Sequence, residues 1–210
     1  MDEIQRKGNK EISKYLKIIC GKTMQALLDS YMFMFPVAYK YDNKDTFMFR
    51  YSYYAFRQRA ILSVKKLVEP AKTDKITLQS LVLFLTQPDI TILSEKEKAA
   101  LKADYDTLFS SEYAIRIKKF RDAFCHNLSN SNEAMCYYKD IMYVINGSLH
   151  ILEQLYIITE ASLPIFFTEA RDIAEYLAAN YWKALDIAAK NSNNNHSINA
   201  KLQKLLNGEF

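Results

Sequence analysis

The residues best equipped for chemistry sit in one short run, Arg121-Asp122-Ala123-Phe124-Cys125-His126-Asn127. A guanidinium keeps its charge and can clamp a phosphate with two parallel hydrogen bonds, while an imidazole titrates near neutrality and moves protons. Together they are the minimum set for cutting RNA without a metal. A base takes the proton of a ribose 2′-OH, the oxygen attacks the adjacent phosphate, and a fixed cation steadies the developing charge. Such a reaction leaves a 2′,3′-cyclic phosphate end. On a helix, Arg121 and His126 point about 140° apart, whereas Asp122 and His126, four apart, share a face. Asp122 is therefore placed to accept from one ring nitrogen, hold the tautomer and favour the protonated imidazole. In these roles His126 is the acid or base, Arg121 the phosphate clamp and Asp122 the orienter. Asn127, Lys118 and Lys119 are candidates for holding the substrate. The plainer alternative is a helix-end histidine beside a solvated arginine. With seven arginines and three histidines in the chain, an Arg-x(4–6)-His match arises by chance about 0.3 times.

A second stretch, Phe49-Arg50-Tyr51-Ser52-Tyr53-Tyr54-Ala55-Phe56-Arg57-Gln58-Arg59, puts Arg50, Tyr54 and Arg57 on one helical face. Rings there could stack bases and guanidinia could meet phosphates, with Arg57 as a substrate contact. The same pattern fits a core or dimer helix whose arginines run along apolar neighbours. Cys125 beside His126 is no nucleophile–base pair, because adjacent helical residues diverge by about 100°. His150 and Glu153 share a face but lack a second ligand pair, and His196 lies in an Asn-rich stretch. No metal site and no cofactor is expected.

These groups must be carried by helices. Half of the 210 residues are apolar, 13% are aromatic, and only four glycines and four prolines occur. That leaves ample core and too few turn residues for a fold of many strands. The expected fold is all-α, one bundle of about five to six main helices over 1–190, followed by an Asn-rich linker and a short helical tail over 191–210. The longest run free of Asp, Glu, Lys and Arg is thirteen residues, Ile76 to Pro88. A spanning helix needs about 20 apolar residues, so no membrane segment is expected. The charged N-terminus lacks an apolar signal core. Cys20, Cys125 and Cys136, widely spaced and odd in number, read as reduced thiols of a cytoplasmic protein. The net charge of +4 permits nucleic-acid binding without arguing for it.

The periodicity predicts a first helix from Asn9 to Phe35, stopped at Pro36, with Ile12, Leu16, Ile19, Ala26 and Leu27 inward. A second, started by Asp42 or Asn43, ends at Val68 because the residue before Pro70 is pushed out of the α region. Thr77 caps a short helix, and Ser94 with Glu97 forms a capping box for one reaching Phe109. The helix of the Arg/His segment carries the stripe Tyr113, Ile117, Phe120 and Phe124. A long core helix is read from Met135, Tyr138, Met142, Ile145, Leu149, Leu152 and Tyr156. The last helix is read from Phe166, Ala170, Ile173, Leu177, Tyr181 and Leu185.

The segment from Ile117 to Asn127 resembles the Arg-x(4–6)-His motif of the HEPN superfamily, and a polar residue after the arginine, here Asp122, is typical of its ribonucleases. Ala60 to Pro70, followed by Ile76-Thr77-Leu78-Gln79-Ser80-Leu81, resembles the abortive-infection U-type branch. The similarity spans roughly Asp42 to Glu160. It implies a helical bundle that forms a homodimer with two motifs in one cleft. It also implies metal-independent RNA cleavage in anti-phage or toxin–antitoxin settings, with RNA and an antitoxin or regulatory protein as partners. The gap from Arg121 to His126 is the shortest that motif allows, and Cys125 stands where the U-type branch commonly has Ala. Leu128 occupies the position of the Tyr found in toxins silenced by a nucleotidyltransferase antitoxin. The other reading is a non-catalytic module of the same fold that binds a nucleotide or a protein.

Overall fold

The computed structural model describes residues 3–38, 47–69, 75–125, 136–159 and 169–193. Among them are seven helices and no strand, so the chain is all-α. They are α1 (Glu3–Ala38), α2 (Phe47–Val68), α3 (Leu78–Leu85), α4 (Glu95–Phe109), α5 (Glu112–Cys125), α6 (Tyr138–Ile158) and α7 (Ala170–Asn193).

Helix α1 lies along α2, and α6 fills the middle, touching α1, α2, α4 and α5. The five inward positions read for α1 are all buried. Its ends differ from expectation: the helix begins at Glu3 and runs through Pro36 to Ala38. Pro36 lies in the last turn, two residues before the end of the helix. Its missing N–H leaves the carbonyl four residues back, that of Met32, without a helical donor. The indole Nε1 of Trp182, itself fully buried, donates to the Met32 oxygen at 2.8 Å. The proline thus exposes an acceptor, and α7 supplies the donor. Phe35, Phe49 and Phe56 close around Trp182.

The end of α2 at Val68 and both predicted caps are observed. Thr77 accepts from the Ser80 N–H, and Ser94 and Glu97 bond reciprocally. The two bonds from Ser94 hold the Glu97 carboxyl below its usual range. In α6, Ile145, Leu149, Leu152 and Tyr156 are buried as expected, with Ile141, Val144, Ile151 and Leu155 added. Burial on so much of its circumference is what a central helix requires. At Gly147 a Cβ would collide with the Leu108 side chain, so glycine lets α4 approach α6 closely. Met135 and Phe166 lie outside the described residues.

Tyr138–Ile158 is by length and composition apolar enough to cross a membrane, and half of that window is buried inside the bundle, where the periodicity places a core helix. Lys139, Asp140 and Glu153 keep its charge-free runs short. One expectation fails. On α7 the inward stripe is Ala170, Ala174, Ala178 and Trp182, while Ile173, Leu177 and Tyr181 are exposed. Small side chains let α7 come close to α1 and α2, so the buried face is not the bulkiest one. The helix also continues to Asn193, three residues into the stretch read as linker. Residues 194–210 lie outside the described residues.

Candidate anion-binding cavity at Arg121

Helix α5 places the candidate residues. Its register is set by Ile117, buried, and Phe120, which packs on the core from one side. Tyr113 stacks on Tyr143 of α6 instead, with centroids 4.3 Å apart. Of Phe124 and Cys125 the side chains are outside the described residues, as are His126 and Asn127. The expected contact of Asp122 with His126 falls there too.

Arg121 extends from α5 toward the end of α2. Its Nη1 donates to Glu69 Oε2 at 2.5 Å, and its Nε and Nη2 both donate to Asp122 Oδ1, at 2.7 and 2.5 Å. The guanidinium side chain is 12% exposed, against 36% for Glu69 and 45% for Asp122. Burial alone would depress its pKa, but the bonds to Asp122 and Glu69 outweigh that and raise it. The nearest observed role of Asp122 is therefore to hold Arg121.

Beside this cluster lies a cavity of about 600 Å³ between α2, α4 and α5. Val64, Val68, Phe109 and Ile117 give it apolar walls, and Lys65, Lys118 and Arg121 bring three cations to its border, with Glu69 as the acid. Tyr105 also lines it, and burial, with Glu69 adding to the effect, raises its pKa, so its hydroxyl remains a hydrogen-bond donor. Lys119 is exposed and does not line the cavity. One residue of offset on a helix turns it about 100° away from Lys118.

Arg57 is brought elsewhere. Its guanidinium carbon lies 4.6 Å from the centre of the Phe120 ring, and its Nε is buried. Arg50 and Tyr54, expected on the same face, are exposed. The alignment read from spacing is thus divided, since Arg57 packs on α5 and the other two face outward. Among the described residues no group of His, Cys, Asp and Glu could hold a metal ion. His150 Nε2 is 2.9 Å from Gln154 Nε2. Burial, with Asp140 adding to it, pushes the Cys136 thiol up to about 12, so it is no nucleophile at neutral pH.

No family model, curated protein or solved structure matches this chain. The resemblance rests on the residues that carry it, Ile117 to Asn127 with Ala60 to Pro70 and Ile76 to Leu81.

Sequence reasoning missed Glu69, Lys65 and Tyr105. Lys65 and Glu69 are four apart at the end of α2, a spacing that hinted at a shared face. The meeting of Glu69 with Arg121, 52 residues away, carries no local signal.

Proposed function

We propose that this chain is a helical binding module that holds an anionic small molecule with a flat apolar body, of the nucleotide class, in the cavity at Arg121. The observation that carries this reading is a concave space of about 600 Å³ with apolar walls and three bordering cations. Small-molecule sites are of this size, mostly apolar, with a few convergent polar groups. The base would lie against Phe109 and the aliphatic wall. The phosphates would meet Lys65, Lys118 and the guanidinium of Arg121. Glu69, at 36% exposed, can swing toward water as a phosphate takes its place. Calorimetric titration of the full chain with AMP, ADP and ATP tests the reading. Saturable binding is expected, weakened at least tenfold (about 1.4 kcal/mol) by Lys118→Glu or Arg121→Met. Absence of heat and of any thermal shift at millimolar nucleotide would overturn it.

The second reading is a metal-independent endoribonuclease. It draws on α5 carrying Lys118, Arg121 and Asp122 into a helix end that His126 follows directly. It ranks second because the cavity at Arg121 is built from described residues, whereas His126, which the chemistry needs, lies outside them. On this reading RNA is cut in excess EDTA, an all-deoxy strand is not, and His126→Ala and Arg121→Ala each lower the rate by about 10²–10⁴. Equal cleavage by wild type and His126→Ala would retire it.

A further inference from the structure

Arg57 is held differently from the arginines around it. Arg59 pairs with Asp29 at 3.1 Å, Arg116 and Arg121 each bond two carboxylates, and Arg171 donates to Asn146 Oδ1 at 3.0 Å. Among the described residues Arg57 forms no ion pair, and its Nε is buried without a hydrogen-bond partner. One face of its guanidinium is covered by the Phe120 ring, whose centre lies 4.6 Å from the guanidinium carbon. That contact offsets part of the cost of withdrawing the cation from water, but it leaves the in-plane N–H donors unanswered. With Nε sealed off, the terminal nitrogens are the donors through which the charge can be met. Arg57 lines a cavity of about 520 Å³ between the end of α1, the middle of α2 and the start of α6. Phe33, Met34 and Val37 give it an apolar wall, and Lys139 brings a second cation. Among the described residues no Asp or Glu lines it. Its Tyr53, Tyr138 and Cys136 are neutral, because burial raises all three pKa values. Asp140, next in sequence to Lys139, is turned onto Arg116 and the Tyr137 N–H. The space is thus apolar, cationic and without an anion of its own.

We propose that this cavity binds a small monocarboxylic acid with an apolar aryl or alkyl body, its carboxylate paired end-on with the terminal nitrogens of Arg57. A guanidinium and a carboxylate are both planar and match in two parallel hydrogen bonds. The apolar wall excludes part of the water, which strengthens that pair. The volume is that of a small-molecule site, and such sites are mostly apolar with a few placed polar groups. A phosphate monoester suits the space less well. It carries up to about two charges and three acceptor oxygens at neutral pH, and some of those oxygens would lie unbonded against Phe33 and Met34. This cavity shares no lining residue with the one at Arg121, so the two proposals stand or fall separately.

Calorimetric titration of the full chain with phenylacetate and with octanoate is the test, each beside its uncharged amide. At least one acid should bind saturably at millimolar concentration or below, and its amide at least about tenfold more weakly. Arg57→Met should weaken the acid by at least about tenfold. The fold should survive that change, since no carboxylate is left stranded and a methionine still packs on Phe120. Arg57→Lys keeps the charge without the planar fork, and its affinity should fall between. Lys139→Glu, at an exposed position, should weaken the acid and leave the amide unchanged, which reads the site even if Arg57→Met does not fold. Arg121→Met and saturating ATP should leave the acid's affinity as it is. Equal binding of acid and amide, no heat or thermal shift with either acid, or tighter binding of phenyl phosphate than of phenylacetate would each overturn the proposal. So would competition by ATP, or wild-type acid affinity in Arg57→Met or in Lys139→Glu.

Discussion

Arg116 and Arg121 stand five residues apart on α5, and each is bonded to two carboxylates. Arg116 donates from Nε and Nη2 to Asp140 Oδ1 at 3.1 and 2.7 Å, and from Nη1 to Glu112 at 2.9 Å. Asp140 is fully buried, and its other oxygen accepts the Tyr137 N–H at the start of α6. That carboxylate is therefore a helix cap and an ion-pair partner at once, and Arg116 fastens α5 to α6. The partners of Arg121 are half-exposed and border open space. Water already shares in solvating them, so they can be exchanged for another anion. The difference teaches that the partner's burial, and not the number of bonds to the arginine, separates a fastening from a binding group.

The largest effect is expected at Asp140. Arg116→Met strands its carboxylate away from water, so the urea midpoint should fall further than for any other single arginine change. Asp140→Ala should lose at least about 1 kcal/mol through the cap of α6 alone. Should Arg116→Met unfold at the wild-type midpoint, the fastening role is wrong. Arg121→Met should cost only about 1 kcal/mol, because its partners return to water, while nucleotide affinity drops at least tenfold as stated above. A stability loss at Arg121 matching that at Arg116 would erase the contrast.

Salt sharpens it further. In about 1 M NaCl the screening length shrinks to about 3 Å. The stability gap between wild type and Arg121→Met should narrow there, and the gap for Arg116→Met should persist. Denaturation curves at two salt concentrations decide this.

A control lies remote from both clusters. Ser94→Ala should cost about 1 kcal/mol at neutral pH by removing the α4 cap. The folded chain holds Glu97 below its ordinary pKa, so its share is present above the unfolded value and is lost as pH falls through the depressed one. The Ser94→Ala penalty should therefore shrink in acid, which thermal melts from neutral to acid pH will show.

Much of the fold was legible because it is local. The inward stripe of α1, the boundary before Pro70 and the caps at Thr77 and Ser94 each depend on residues within a few positions of one another. The α7 stripe was misread by the same logic, since periodicity reports bulk and polarity, whereas close helix approach selects alanines. At the candidate site, Arg121 and Lys118 were legible as residue types, and Lys119 and Arg57 were grouped with them by spacing alone. Only packing turned Lys119 outward and laid Arg57 on Phe120.

Helix placement, capping and the all-helical class follow from interactions within a turn or two of chain, which the order of residues states directly. The pairings that give those helices their roles do not. Trp182 answering the carbonyl left open by Pro36, Asp140 receiving Arg116, and Glu69 meeting Arg121 join residues 24 to 150 positions apart. Such contacts exist only after every helix has docked, because burial and exposure, which decide what each charge can do, are properties of the assembled bundle and of no segment alone.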